Sequence, residues 1–135
     1  MSRIEAYPRR GARAGAGTPF DFLLAKGTRA RMVGLLGNRE LDPGLGLLIP
    51  RCDSVHTVAM RFALDVVFVR WPPPDDDELE VLAVRADVRP GRMAGFKRRR
   101  AGLRRREVGA LELAAGGAAR LGIAAGEPIA LDPLT

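Results

Sequence analysis

The stretch ALDVVFVRWPPPDDDELEVLAVRADV, residues 63–88, decides the fold. From Ala63 to Val69 it is dominated by β-branched and aromatic side chains, which pack well on a pleated, half-buried surface. WPPPDDDE, residues 71–78, cannot continue that strand, because three prolines lack N–H donors and four neighbouring acids repel one another. LEVLAVRADV, residues 79–88, then resumes the apolar–polar alternation of a strand with one buried face. These residues predict a β-hairpin in which LEVLAVRADV folds back on DVVFV, with a mobile loop at its tip.

Outward from the hairpin the pattern is again short strands and turns. PFDFLLA (19–25) alternates Phe20 and Phe22 with Asp21, DPGLG (42–46) reads as a turn, and GLLIP (46–50) as a buried strand. Ser54 to Met60 forms a further strand segment, separated from the hairpin by a break around Met60 and Arg61. Downstream, ALELAAG (110–116) and EPIALD (127–132) are strands, and GGAARLGI (116–123) is one or two helical turns. RARMVGLLG (29–37) places Met32, Leu35 and Leu36 at helical spacing, with Thr28 as N-cap and Gly37 as stop. Gly116, Gly117 and Gly126 lack the surroundings of a phosphate loop and read as turn glycines. The expected architecture is mainly β (α+β): a compact β-sandwich or distorted barrel of six or more short strands with one or two short helices.

A chain of 135 residues fits one domain with a real core. Residues 1–17, rich in Gly, Ala and Arg, read as a disordered basic tail, and residues 18–135 as the domain. No apolar run approaches the roughly 18 to 20 residues of a spanning helix, and no apolar segment follows the first basic residues. One cysteine forms no internal disulfide, so a soluble, cytoplasmic protein is expected. The net charge of +6 is unevenly placed. Arg3, Arg9, Arg10 and Arg13 together with Lys97, Arg98, Arg99, Arg100, Arg104, Arg105 and Arg106 hold half of the 22 basic residues. The remainder carries 11 basic and 15 acidic residues. Basicity thus belongs to two appendages rather than to the body.

CDSVHTVAM, residues 52–60, sets Cys52, His56 and Met60 four residues apart. On a helix those side chains would share one face about 6 Å apart and suit a soft metal. Val55, Thr57 and Val58 favour a strand, where the same spacing is roughly 13 Å and neither one metal nor a Cys–His dyad fits. His56 is then expected to be structural, hydrogen-bonded near the core. No metal and no cofactor are expected. Asp65 stands inside an apolar strand, where a carboxylate needs a partner. Arg61, His56 or capped backbone amides are the candidates.

GLLGNRELDPGLGLLIPRCDSVHTVAMRFALDVVFV (34–69) and ALELAAGGAARLGIAAGEPIAL (110–131) resemble the DUF192 (UPF0127) family of uncharacterised small bacterial and archaeal proteins. Its marks here are the GLLG-x-R-x-L segment, the H-T-x-x-M-R-F-x-x-D-V-V-F core and the closing stretch LELAAGGAARLG. The resemblance implies a compact, mainly β domain with no agreed activity. It draws attention to His56, Thr57, Met60, Arg61 and Asp65 as a group, without assigning roles. KRRRAGLRRRE and WPPPDDDE look like insertions relative to the family.

Together these readings give a small binding or accessory domain rather than an enzyme. Its candidate recognition surface is His56, Thr57, Met60, Arg61 and Asp65, and its ligand is a small molecule or a protein. The alternatives are a metal-dependent or hydrolytic enzyme using Cys52, His56 and Asp65, and anionic-polymer binding through residues 97–106. In that run seven cations in ten residues make a strong local potential, but only Phe96 is at hand for stacking on a base. Nucleic acid is therefore the less favoured partner.

Overall fold

The 63–88 hairpin forms as read. In a computed structural model that describes residues 8–25, 42–57 and 60–133, β5 (Leu64–Arg70) pairs antiparallel with β6 (Glu78–Val88). The other strands are β1 (Arg9–Ala14), β2 (Phe20–Leu24), β3 (Leu45–Ile49), β4 (Ser54–His56), β7 (Met93–Gly95), β8 (Val108–Ala114) and β9 (Pro128–Leu131). One short helix, α1 (Gly117–Leu121), and a 3-10 turn at Arg105–Glu107 complete the described elements. The helix expected over residues 29–37, with Thr28 and Gly37, lies outside the described residues.

Seven strands close into a barrel in the order β1-β2-β3-β8-β5-β6-β9, and β9 returns to β1. Of the two expected alternatives, sandwich or barrel, the chain adopts the barrel. β2 and β3 pair in parallel, whereas every other neighbouring pair is antiparallel. Strand alternation gives the sheet two buried faces. One is the barrel interior, to which all seven strands contribute, among them Ala12, Phe22, Leu48, Val67, Val81, Leu111 and Ile129. Ala118 and Leu121 of α1 pack into this interior. The other is the outer face of β3, β5 and β8, where Leu47, Val66, Phe68 and Ala110 build a second core. The separate β4–β7 ribbon brings Val55 and Ala94 to that core, and Phe96 and Leu103 pack against it.

Part of the stretch expected to be a tail is ordered structure. Residues 9–14 are not tail but a barrel strand, hydrogen-bonded to β2 on one side and β9 on the other. Its buried side chains are Ala12 and Ala14, small enough to fit the filled interior, while Arg9 and Arg13 point to solvent. A strand whose inward residues are alanines carries almost no hydrophobic signal. Gly17, also read as tail, lets the chain pass so close to the Leu121 carbonyl that a Cβ there would sit 2.3 Å from its oxygen.

The proline–acid loop is held rather than loose. Arg10 donates to the Asp76 carboxylate and carbonyl at 2.9 Å each, and Leu131 N–H donates to the Asp77 carbonyl at 2.8 Å. A bulge interrupts the hairpin near its open end. Two residues carry the chain from Leu64 to Val66, while three separate their partners Val88 and Arg85. The extra residue lies at Ala86–Asp87, and Asp87 adopts a left-handed φ of 53°.

Candidate functional site

Asp65 is where the sequence points most sharply, and the structure gives it a definite task. Its carboxylate is 1% exposed and accepts three backbone N–H groups. Oδ1 takes those of Asp87 at 2.9 Å and Gly116 at 3.2 Å, and Oδ2 takes that of Ala118 at 2.9 Å. The bulge turns the Asp87 amide away from the ladder, and Asp65 collects it. One side chain on β5 thereby fixes the β6 bulge and the turn from β8 into α1. Of the candidate partners, the backbone amides are the ones used. Arg61 lies exposed in the bend before β5. With both oxygens engaged and burial nearly complete, Asp65 is poorly placed to exchange a proton with a substrate.

Thr57 performs the same service on the neighbouring loop. It is fully buried, and its N–H donates to Arg92 O at 2.8 Å. Arg92 N–H donates to Thr57 Oγ1 at 2.9 Å. The hydroxyl directs its proton to Arg89 O at 2.6 Å, with Arg92 O as a second acceptor at 3.0 Å. Thr57 O accepts from Met60 N–H and Gly91 N–H at 3.0 Å each. Residues 89–92 therefore form a loop clamped from beneath by one threonine.

The triplet that opens this region separates. Cys52 is buried in the outer core and its thiol donates to Ser54 O at 3.1 Å, and Met60 is buried in the same core. His56 instead lies exposed on β4, so its expected place near the core is corrected. β4 is only three residues long, and alternation puts Val55 inward and His56 outward. Among the described residues no group of three or more His, Cys, Asp or Glu is placed to hold a metal ion.

Of the five grouped residues, then, Thr57, Met60 and Asp65 are buried scaffold, and His56 and Arg61 face solvent. His56 stands opposite Met93 in the β4–β7 ribbon. Met93 is 62% exposed. Beside it runs a groove of about 480 Å³ whose lining includes Arg85, Asp87, Arg89, Arg92 and Met93. These arginines lie at intervals of three and four residues across a strand end and a turn. In the sequence they form no run, and only the bulge and the clamped loop bring them to one groove.

The run 97–106 is a compact turn rather than an extended loop. Phe96 packs its ring 6.0 Å from that of buried Phe68, and Arg98 Nε donates to Asp53 at 2.8 Å with both side chains 23% exposed. Leu103 N–H and Ala101 N–H both reach Arg98 O. Arg105 lies 3.9 Å from the other Asp53 oxygen. Lys97, Arg99, Arg100, Arg104 and Arg106 are left exposed on the outer surface.

Glu112 escaped the sequence reading. The alternation L-E-L would turn it to solvent, yet it is fully buried. It lies in register with Leu47 and Val66 on the covered outer face, so both faces of β8 are inside. The signal missing from the sequence was the second core, because a covered outer face abolishes the polar side of a strand.

Residues 11–131 match the family model described as DUF192, Uncharacterized ACR. The chain belongs to the DUF192 family. Two solved structures resemble this DUF192 protein in fold. One, put forward as a transcription regulator, is from Sinorhizobium meliloti 1021; it is 20% identical, with a TM-score of 0.63, covering 91% of this chain and 93% of that one. The other, a protein of unknown function from Novosphingobium aromaticivorans DSM 12444, is 21% identical, with a TM-score of 0.64, covering 89% and 82%. No curated protein matches the chain. Among the described residues no helix is long and apolar enough to cross a membrane.

Proposed function

We propose that this DUF192 protein is a small cytoplasmic binding or accessory domain. Its recognition surface is the solvent side of the His56 to Asp65 region: His56 and Arg61 with the adjoining β4–β7 ribbon. The observation that carries this reading is the engagement of Asp65 and Thr57 by backbone groups. The carboxylate and hydroxyl that a hydrolase would need at hand are holding loops, and His56 and Arg61 are the groups of the region left at the surface for recognition. An enzyme built on Cys52, His56 and Asp65 would require a buried thiol, an exposed imidazole and a buried carboxylate to converge. The test is a panel of ester, phosphate-ester and peptide substrates with the wild type and His56→Ala. No turnover is expected. Turnover that disappears in His56→Ala with an unchanged circular dichroism spectrum overturns the proposal.

A second reading, anionic-polymer binding through the 97–106 turn, is favoured by the anchoring of Phe96 and Arg98, which holds the other cations outward on a fixed base. Its test is retention of RNA and DNA by the wild type and by Lys97→Gln/Arg99→Gln/Arg100→Gln. Retention that is unaltered in the variant, or that ignores salt, removes it.

A further inference from the structure

We infer that the groove between the end of β6 and β7 binds a small phosphate monoester, its phosphate among Arg85, Arg89 and Arg92 and its apolar part on Met93. The inference rests on the binding reading above and supplies its ligand class. Three arginines are among the residues that line the groove, and Asp87 is the one acid there. Asp87 engages Arg89 only loosely, at 3.5 Å with both side chains more than half exposed. The groove therefore keeps a positive balance that favours a doubly charged anion, and guanidinium forks match phosphate oxygens in pairs.

The backbone beneath these arginines is preorganised. Asp65 fixes residue 87 through its amide, and Thr57 fixes residues 89 and 92 through their carbonyls and the Arg92 amide. Two buried polar residues thus act on the one segment that presents the cations. A rigid base lowers the ordering cost of binding, which otherwise weakens long flexible side chains as ligands. Met93, the exposed large hydrophobic residue of the described surface, borders the same groove and gives an apolar substituent something to cover. The groove, about 480 Å³ and open to solvent, leaves room for a small anion with part of its surface exposed.

The clamp uses main-chain atoms of Arg89 and Arg92, so replacing their side chains leaves it intact. The experiment titrates the full chain with phenyl phosphate and with inorganic phosphate at constant ionic strength. It follows backbone amide shifts, and phosphorus NMR checks that the ester stays whole. Saturable shifts at residues 85–95 are expected, tighter for phenyl phosphate. Affinity should fall about tenfold or more in Arg89→Gln/Arg92→Gln and hold within about twofold in Lys97→Gln/Arg99→Gln/Arg100→Gln. Absence of saturable shifts, or equal loss in both variants, overturns the inference and leaves the binding reading standing. Hydrolysis of phenyl phosphate that His56→Ala abolishes overturns the binding reading itself.

Discussion

Replacing Asp65 by Asn isolates the work of one charge, because the side chain keeps its size. The two carboxylate oxygens receive three N–H groups, two on Oδ1 and one on Oδ2. An Asn oxygen in the Oδ1 position keeps the Asp87 and Gly116 bonds but sets an amide NH₂ against the Ala118 N–H. The opposite rotamer keeps Ala118 and loses the other two. Ala118 is buried, so its orphaned donor costs about 1–3 kcal/mol, and the bonds that survive weaken because their acceptor is no longer charged. The sum is about 2–4 kcal/mol for Asp65→Asn and about 3–5 kcal/mol for Asp65→Ala. In a domain of this size that lowers Tm by roughly 8 to 15 °C for the Asn variant. Urea unfolding measures the loss, and hydrogen exchange at Ala118 and Asp87 locates it. An Asp65→Asn protein within about 0.5 kcal/mol of wild type would refute the argument that the carboxylate is a structural clamp.

Thr57→Val keeps the volume but removes the hydroxyl beneath residues 89–92. Urea unfolding should show a loss of about 1–3 kcal/mol, and amide exchange at Arg92 should quicken. Gly17→Ala drives a methyl against the Leu121 carbonyl oxygen, so thermal denaturation should show a loss of about 1–3 kcal/mol, whereas a free tail would register nothing. Phe96→Ala removes the ring that packs on Phe68, and trypsin should then cleave within 97–106 several times faster while the barrel persists. Arg98→Ala should cost only about 1 kcal/mol in the same unfolding assay, since its partly exposed pair with Asp53 is screened by solvent.

The strands that could be read from the sequence were those with contrast. β2, β3, β5, β6, β8 and β9 carry apolar, β-branched or alternating residues between turn-formers, and of their pairings that of β5 with β6 followed from the hairpin. β1 was illegible because a strand built from Arg, Gly and Ala looks like a linker, and only closure of the barrel gives Ala12 and Ala14 something to bury against. For the site, the anomaly of a carboxylate in FALDVVFV was visible, but its partners were not. Backbone amides have no letter in the sequence, and the bulge that frees one of them depends on register. The Cys52, His56, Met60 spacing was read on one strand, but β4 holds only His56 of the three, and burial of two members and exposure of the third depends on how short β4 is. Arg85, Arg89 and Arg92 gave no signal, being ordinary surface residues until a turn gathers them.

The seam between β1 and β9 joins the first described strand to the last, with Ala12 opposite Leu131. During synthesis β1 leaves the ribosome long before its second neighbour exists, so one of its edges stays unpaired until β9 has emerged. Closure therefore waits for β9, and any nascent chain short of it presents open edges to its surroundings. For such a barrel, synthesis through β9 is itself a condition of having an interior.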